Sequence, residues 1–60
     1  MTFERFNSIN WKQGDGVVLR DGRTLLVTRR GTFQNGTMLY VSIENKPAFV
    51  YYRDVVRKAV

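Results

Sequence analysis

The sequence predicts an all-β chain, a small antiparallel barrel or strongly bent meander of about five strands with a short N-terminal covering segment. Three observations predict it. Turn signals recur at short intervals from residue 14 onward, as Gly14-Asp15-Gly16, Asp21-Gly22, Asn35-Gly36 and Asn45-Lys46-Pro47. The runs between them, VVLR, RTLLVTRR, TMLYVSIE and AFVYY, have strand length and are rich in Val, Leu, Thr and Tyr. Finally, the chain has 60 residues, and a domain of that size buries only about 60% of the surface its unfolded form exposes. One domain therefore spans 1–60, with 1–12 as the covering segment and 13–60 as the β unit.

Residues 2–11 carry Phe3 and Phe6 three positions apart, then Ile9 and Trp11. That spacing suits a short helix, with Thr2 as its cap before Glu4 and Arg5, or a loosely paired segment. In either form the segment is read as a cover over an open end of the β unit, since its rings would otherwise be stranded in water. Trp11 reads as core or lid rather than as a ligand contact.

Asp-Gly and Asn-Gly supply the positive φ angles of type I′ turns, which places hairpins at 21–22 and 35–36. In the first, Arg20 and Arg23 would oppose each other, and a partner anion would relieve their repulsion. In the second, a strict two-residue turn buries Thr28 and Arg30 beside Val41 and Ile43, whereas a bulge at Gly31 substitutes Val27 and Leu25. The bulge is the better reading. Either way, Arg29 and Arg30 point to opposite faces. Phe33, beside the Asn35-Gly36 turn, either folds back or is offered to a partner.

A two-residue turn at Asn45-Lys46 sets Tyr40 across from Tyr51, with Phe49 diagonal to Tyr40. Leu39, Val41 and Ile43 then share an apolar face with Ala48, Val50 and Tyr52. Tyr40, Ser42 and Glu44 share the other face with Phe49 and Tyr51. The C-terminal YRDVVRKAV reads as one helical turn around Arg53, Asp54 and Val55, followed by a short strand or helix that periodicity does not separate.

Ten Lys and Arg against five Asp and Glu give a net charge of +5. The surplus lies in two blocks. Arg20, Arg23, Arg29 and Arg30 face only Asp21 within 16–30, and Lys46, Arg53, Arg57 and Lys58 face only Asp54 within 46–60. Such a field suits a polyanion, because released counterions drive binding without sequence preference; solubility alone also accounts for it.

Chain chemistry narrows the function classes. With no His and no Cys, the usual general base, thiol nucleophile, disulfide and soft metal ligands are missing, so neither catalysis nor a cofactor is expected. The glycines sit at turns and no Gly-Lys-Ser/Thr follows them, so they form no phosphate-binding loop. MTFERFNSINWK lacks the apolar run of a signal peptide and no window approaches a membrane span. These features predict a cytoplasmic chain without a membrane role. The initial Met fits a complete small protein and equally a fragment with an added Met.

The opening QGDGVVLRDG and the helical-turn candidate YRDV ahead of the last segment resemble the SH3-like small barrels, including the KOW and Tudor groups, over residues 13–60. The resemblance implies binding of nucleic acid, ribosomal or transcription machinery, or peptides, through loops and an exposed aromatic face. The N-terminal twelve residues lie outside the pattern, and no long loop follows the first strand, which argues against a peptide groove. An OB-fold usually needs more residues and a helix between its third and fourth strands, for which ENKPA leaves no room.

The expected partner is nucleic acid, DNA or RNA, met by Tyr40, Phe49 and Tyr51 with Arg29 or Arg30, Arg53, Arg20 and Arg23. Bases stack on exposed rings and arginines add charge and cation–π attraction. Two other readings stay open. The same face could dock on a larger protein or a second copy of the chain, or the rings could pair across strands for stability alone.

Overall fold

The computed structural model describes residues 1–31 and 38–59. Five strands form one antiparallel sheet: β1 (Gly16–Leu19), β2 (Thr24–Gly31), β3 (Met38–Ile43), β4 (Lys46–Tyr51) and β5 (Val55–Ala59), in the order β4-β3-β2-β1-β5. The all-β reading is correct. Among the described residues no ladder joins β4 to β5, so the sheet is open, a meander whose last strand returns to pair with its first.

Alternation decides the core. Val17, Leu19, Val27, Leu39, Val41, Val50 and Val55 point to one side and are buried there. Helix α1 (Phe3–Ser8) lies at the end of this layer, with Thr2 as N-cap accepting from the Arg5 amide at 3.1 Å. Its Phe6 is fully buried, and its ring centroid lies 5.5 Å from that of Trp11 and 6.2 Å from that of Tyr52. The Trp11 indole Nε1 donates to the Phe6 carbonyl at 3.2 Å, which satisfies the one polar atom of a buried ring. Trp11 is core.

Two turns and one bulge differ from the sequence reading. The β1–β2 connection is a three-residue loop, Arg20-Asp21-Gly22: the Leu19 amide donates to the Arg23 carbonyl and the Gly22 amide to the Leu19 carbonyl. Gly22, at φ +93°, takes the left-handed position that such loops require. Arg20 and Arg23 are therefore not opposed, because Arg23 faces Leu19 and Arg20 lies within the loop.

The β3–β4 turn falls at Glu44-Asn45 (φ 51° and 65°), not at Asn45-Lys46. Pro47 is the reason. Residues flanking a two-residue turn exchange both N–H···O bonds, and a turn at 45–46 would put proline, which has no N–H, in that pair. With the turn one residue earlier, Ile43 faces Lys46 and Pro47 faces Ser42 in a pair that asks nothing of its nitrogen. Tyr40 consequently faces Phe49 rather than Tyr51, and Tyr51 faces Met38. The displacement is even, so every side chain keeps its face.

The β2 bulge is at Thr28, between Val27 and Arg29, not at Gly31. Val27 is fixed from its other side, where its carbonyl accepts from Gly14 and its amide donates to Asp15. It still joins Val41 in the core. The hairpin expected at Asn35-Gly36, and Phe33 with it, lie outside the described residues.

After β4 a 3₁₀ helix (Tyr52–Asp54) precedes β5, and the C-terminal segment is thus a strand, held by the pairing of Leu19 with Val55 and Val18 with Arg57. Among the described residues no helix is long and apolar enough to cross a membrane.

Two turn carboxylates give the fold an acid sensitivity. The Lys12 amide donates to Asp15 Oδ2 at 2.8 Å and the Arg23 amide to Asp21 Oδ1 at 3.0 Å. These backbone bonds, more than the nearby cations, hold both carboxyls below their ordinary value of 3.8. A pKa depressed by folding stabilises the native state above the ordinary value and ceases to do so as pH falls through the depressed one. The urea midpoint is expected to be flat above about pH 5 and to fall below about pH 4, and the variant Asp15→Asn with Asp21→Asn is expected to fall less steeply. Equal acid slopes in the two proteins would refute the assignment.

Candidate nucleic-acid interface

The outward side of β2, β3 and β4 carries three cross-strand rows: Leu26, Ser42 and Pro47; Arg29, Tyr40 and Phe49; Gly31, Met38 and Tyr51. The middle row is its centre. Tyr40 and Phe49 are a directly opposed pair, and the Arg29 guanidinium lies 4.6 Å from the Tyr40 ring centroid, within cation–π range. Phe49 meets Tyr51 edge to face, with centroids 5.7 Å apart and planes at 89°.

Gly31 seats this face. A Cβ there would lie 2.6 Å from Met38 Cγ and 3.1 Å from Tyr40 Cε2, so the missing side chain is the space that both neighbours fill. Met38 is buried although it points outward, and Tyr40 and Tyr51 are half-buried beside it. Phe49, at 52%, and Leu26, at 60%, leave more than half their surface in water. The rings are neither sealed inside the monomer nor loose upon it.

The other expected cations divide. Arg30 is on the inward side opposite Leu39, with its guanidinium 5.3 Å from the Phe6 ring centroid and bonded to Asn7 Oδ1. It belongs to the seat of α1, not to the aromatic face. Arg20 and Arg23 stand across a cleft from Phe49. Arg20 Nε donates to the Arg53 carbonyl at 2.8 Å and its amide to the Asp54 carbonyl at 3.0 Å, joining the β1–β2 loop to the 3₁₀ helix. Arg53 is exposed on that helix. Arg23 Nε pairs with Asp21 Oδ2 at 2.7 Å.

The structure thus gathers Arg29, Tyr40, Phe49 and Tyr51 on one face, sets Arg20 and Arg23 across the cleft at its edge, and excludes Arg30. Leu26 and Gly31 belong to the face and were not among the residues expected there. Strand alternation would have found Leu26, whereas the role of Gly31 depends on which side chains cross it.

Fold and face together define a small all-β domain with a packed aromatic surface flanked by arginine. Comparison of the chain with protein-family models, with curated proteins and with solved structures finds no match.

Proposed function

We propose that this chain is a small basic binding module that holds single-stranded nucleic acid against the outer face of β2, β3 and β4. The observation that carries the reading is the middle row, a half-exposed Phe49 beside a Tyr40 that already has Arg29 over its ring. Every base has a π-face and every nucleotide a phosphate, so stacked rings next to a guanidinium suit any sequence. The strand order, with a 3₁₀ turn before β5, supports reading the fold as an SH3-like small barrel. No catalytic step is assigned to a chain without His or Cys. A chain without cysteine also suits the reducing cytoplasm, where we place it.

A titration with short single- and double-stranded oligonucleotides at two ionic strengths tests the reading. Single strands are expected to bind better, and two to four phosphate contacts imply that affinity falls roughly seven- to fiftyfold between about 50 and 200 mM salt. Absence of binding at low salt would overturn the proposal. Single-strand binding that barely responds to salt would overturn the charge component.

The rival reading has an observation of its own, because Leu26 and Phe49 are exposed and β4 is an edge strand. A face of that kind can also dock on a protein or a second copy.

A further inference from the structure

Beyond Phe49 the aromatic face ends in a cleft. It lies between β4 and the β1–β2 loop, where no ladder closes the sheet, and measures about 310 Å³. That is near the lower limit for small-molecule sites, large enough for one planar group and too small for a length of strand. Leu19 and Val50 supply an apolar floor, Phe49 a wall, and Arg20, Arg23, Asp21 and Asp54 the rim.

The rim states what the cleft can take. Two carboxylates stand beside two guanidinium groups, so their charges offset and a phosphate would meet as much repulsion as attraction. A neutral, flat group with both donors and acceptors on its edge is the better match. Both arginines are oriented through Nε, Arg20 on the Arg53 carbonyl and Arg23 on Asp21. Their terminal nitrogens make no hydrogen bond with another described residue. Asp21 is occupied by Arg23, but the Asp54 carboxylate has no partner among the described residues. It is an acceptor-only group awaiting donors.

We propose that this cleft receives one base of the bound strand, and that the base is guanine. Its N1–H and N2–H₂ are adjacent donors that one carboxylate accepts together, and its O6 and N7 are the acceptors that guanidinium groups read. Adenine lacks the paired donors, and cytosine and uracil lack the O6 and N7 pair. Phe49 is shared, so a strand stacked on the outer face has a base within reach of the cleft. The inference rests on the nucleic-acid reading and adds to a sequence-tolerant face one position that discriminates.

Binding of an oligouridylate is compared with that of the same strand carrying one guanosine, one inosine or one adenosine. Guanosine is expected to tighten binding roughly five- to 160-fold, the range for one bidentate base contact. Inosine, which lacks the N2 amine, should recover only part of that gain and adenosine none. In Asp54→Asn, a near-isosteric change that keeps one acceptor and turns the other into a donor, the guanosine-to-uridine affinity ratio is expected to fall to no more than the inosine-to-uridine ratio of the parent, the part left to the arginine contacts. If the uridine strand binds and guanosine adds nothing, or if the ratio survives in Asp54→Asn, the cleft assignment is overturned while the nucleic-acid reading stands. Should no strand bind at all, both fall.

Discussion

Replacing Phe6 with alanine is expected to leave the protein largely unfolded at room temperature. The ring is fully buried and packs on Trp11, on Tyr52 and under the Arg30 guanidinium, so it joins α1, the segment after it, the 3₁₀ helix and the inward side of β2. Truncating a buried Phe to Ala costs about 3–5 kcal/mol, and the single core of a domain this small supplies roughly the same amount in total. No disulfide makes up the difference, since the chain has no cysteine. Arg30 would also lose the ring beneath its charge.

Phe3 is the internal comparison. It is exposed and touches Tyr52 only edge to face, at 5.9 Å, so Phe3→Ala is expected to cost no more than about 1.5 kcal/mol. Urea unfolding followed by Trp11 fluorescence and far-ultraviolet circular dichroism separates the two variants. Matching midpoints for Phe6→Ala and Phe3→Ala would show that α1 is an ornament on the sheet rather than part of its core.

How much of this was legible in the sequence depends on the range of the cause. Strand alternation is local, so the inward set Leu39, Val41 and Val50 and the outward set Tyr40, Phe49 and Tyr51 could be separated without coordinates. That one of Arg29 and Arg30 stands beside Tyr40 followed from the same alternation, but a bulge at Gly31 would have turned Arg29 inward, and the bulge at Thr28 is what makes it Arg29. The turn at Glu44-Asn45 was misplaced because Asn45 and Lys46 have the better turn composition, while the deciding signal was an absence, the amide hydrogen that Pro47 lacks. That signal was in the sequence and reads correctly once hydrogen-bonded and non-hydrogen-bonded pairs are told apart.

Other features depend on contacts between distant residues. The bulge at Thr28 is set by Gly14 and Asp15 clasping Val27, more than ten positions away. That bulge sends Arg30 inward to Phe6 and Asn7, so its exclusion from the face had no local cause. The C-terminal segment is a strand because β1 offers it an edge. The cleft is more distant still in sequence, since it brings the 20–23 loop, Phe49 and Asp54 together only where the sheet fails to close.

Tyr40→Ala combined with Tyr51→Ala is expected to abolish most single-strand binding while the fold survives. Neither ring belongs to the inward core, and the two flank Met38 on the outer face, so their loss thins a second layer without opening the first. Some loss of stability is expected, because Met38 becomes more exposed and Arg29 loses the ring it lies over. A base stacked on an aromatic side chain is worth about 1–3 kcal/mol, so two rings correspond to roughly 2–6 kcal/mol if they act independently. They touch a common partner in Phe49, through the Tyr40 pair and the Tyr51 edge contact, and so will not be strictly additive. Even the lower figure is about a thirtyfold weakening. Fluorescence anisotropy with a short single strand at low salt measures it, and the urea midpoint of the same variant shows that the fold is retained. Arg29→Glu separates charge from stacking: it is expected to weaken binding more at low salt than at high salt, whereas the double tyrosine variant should lose a similar factor at both. A folded double variant that binds as tightly as the parent would show that the rings serve the sheet alone, and the proposed interface would have to be abandoned.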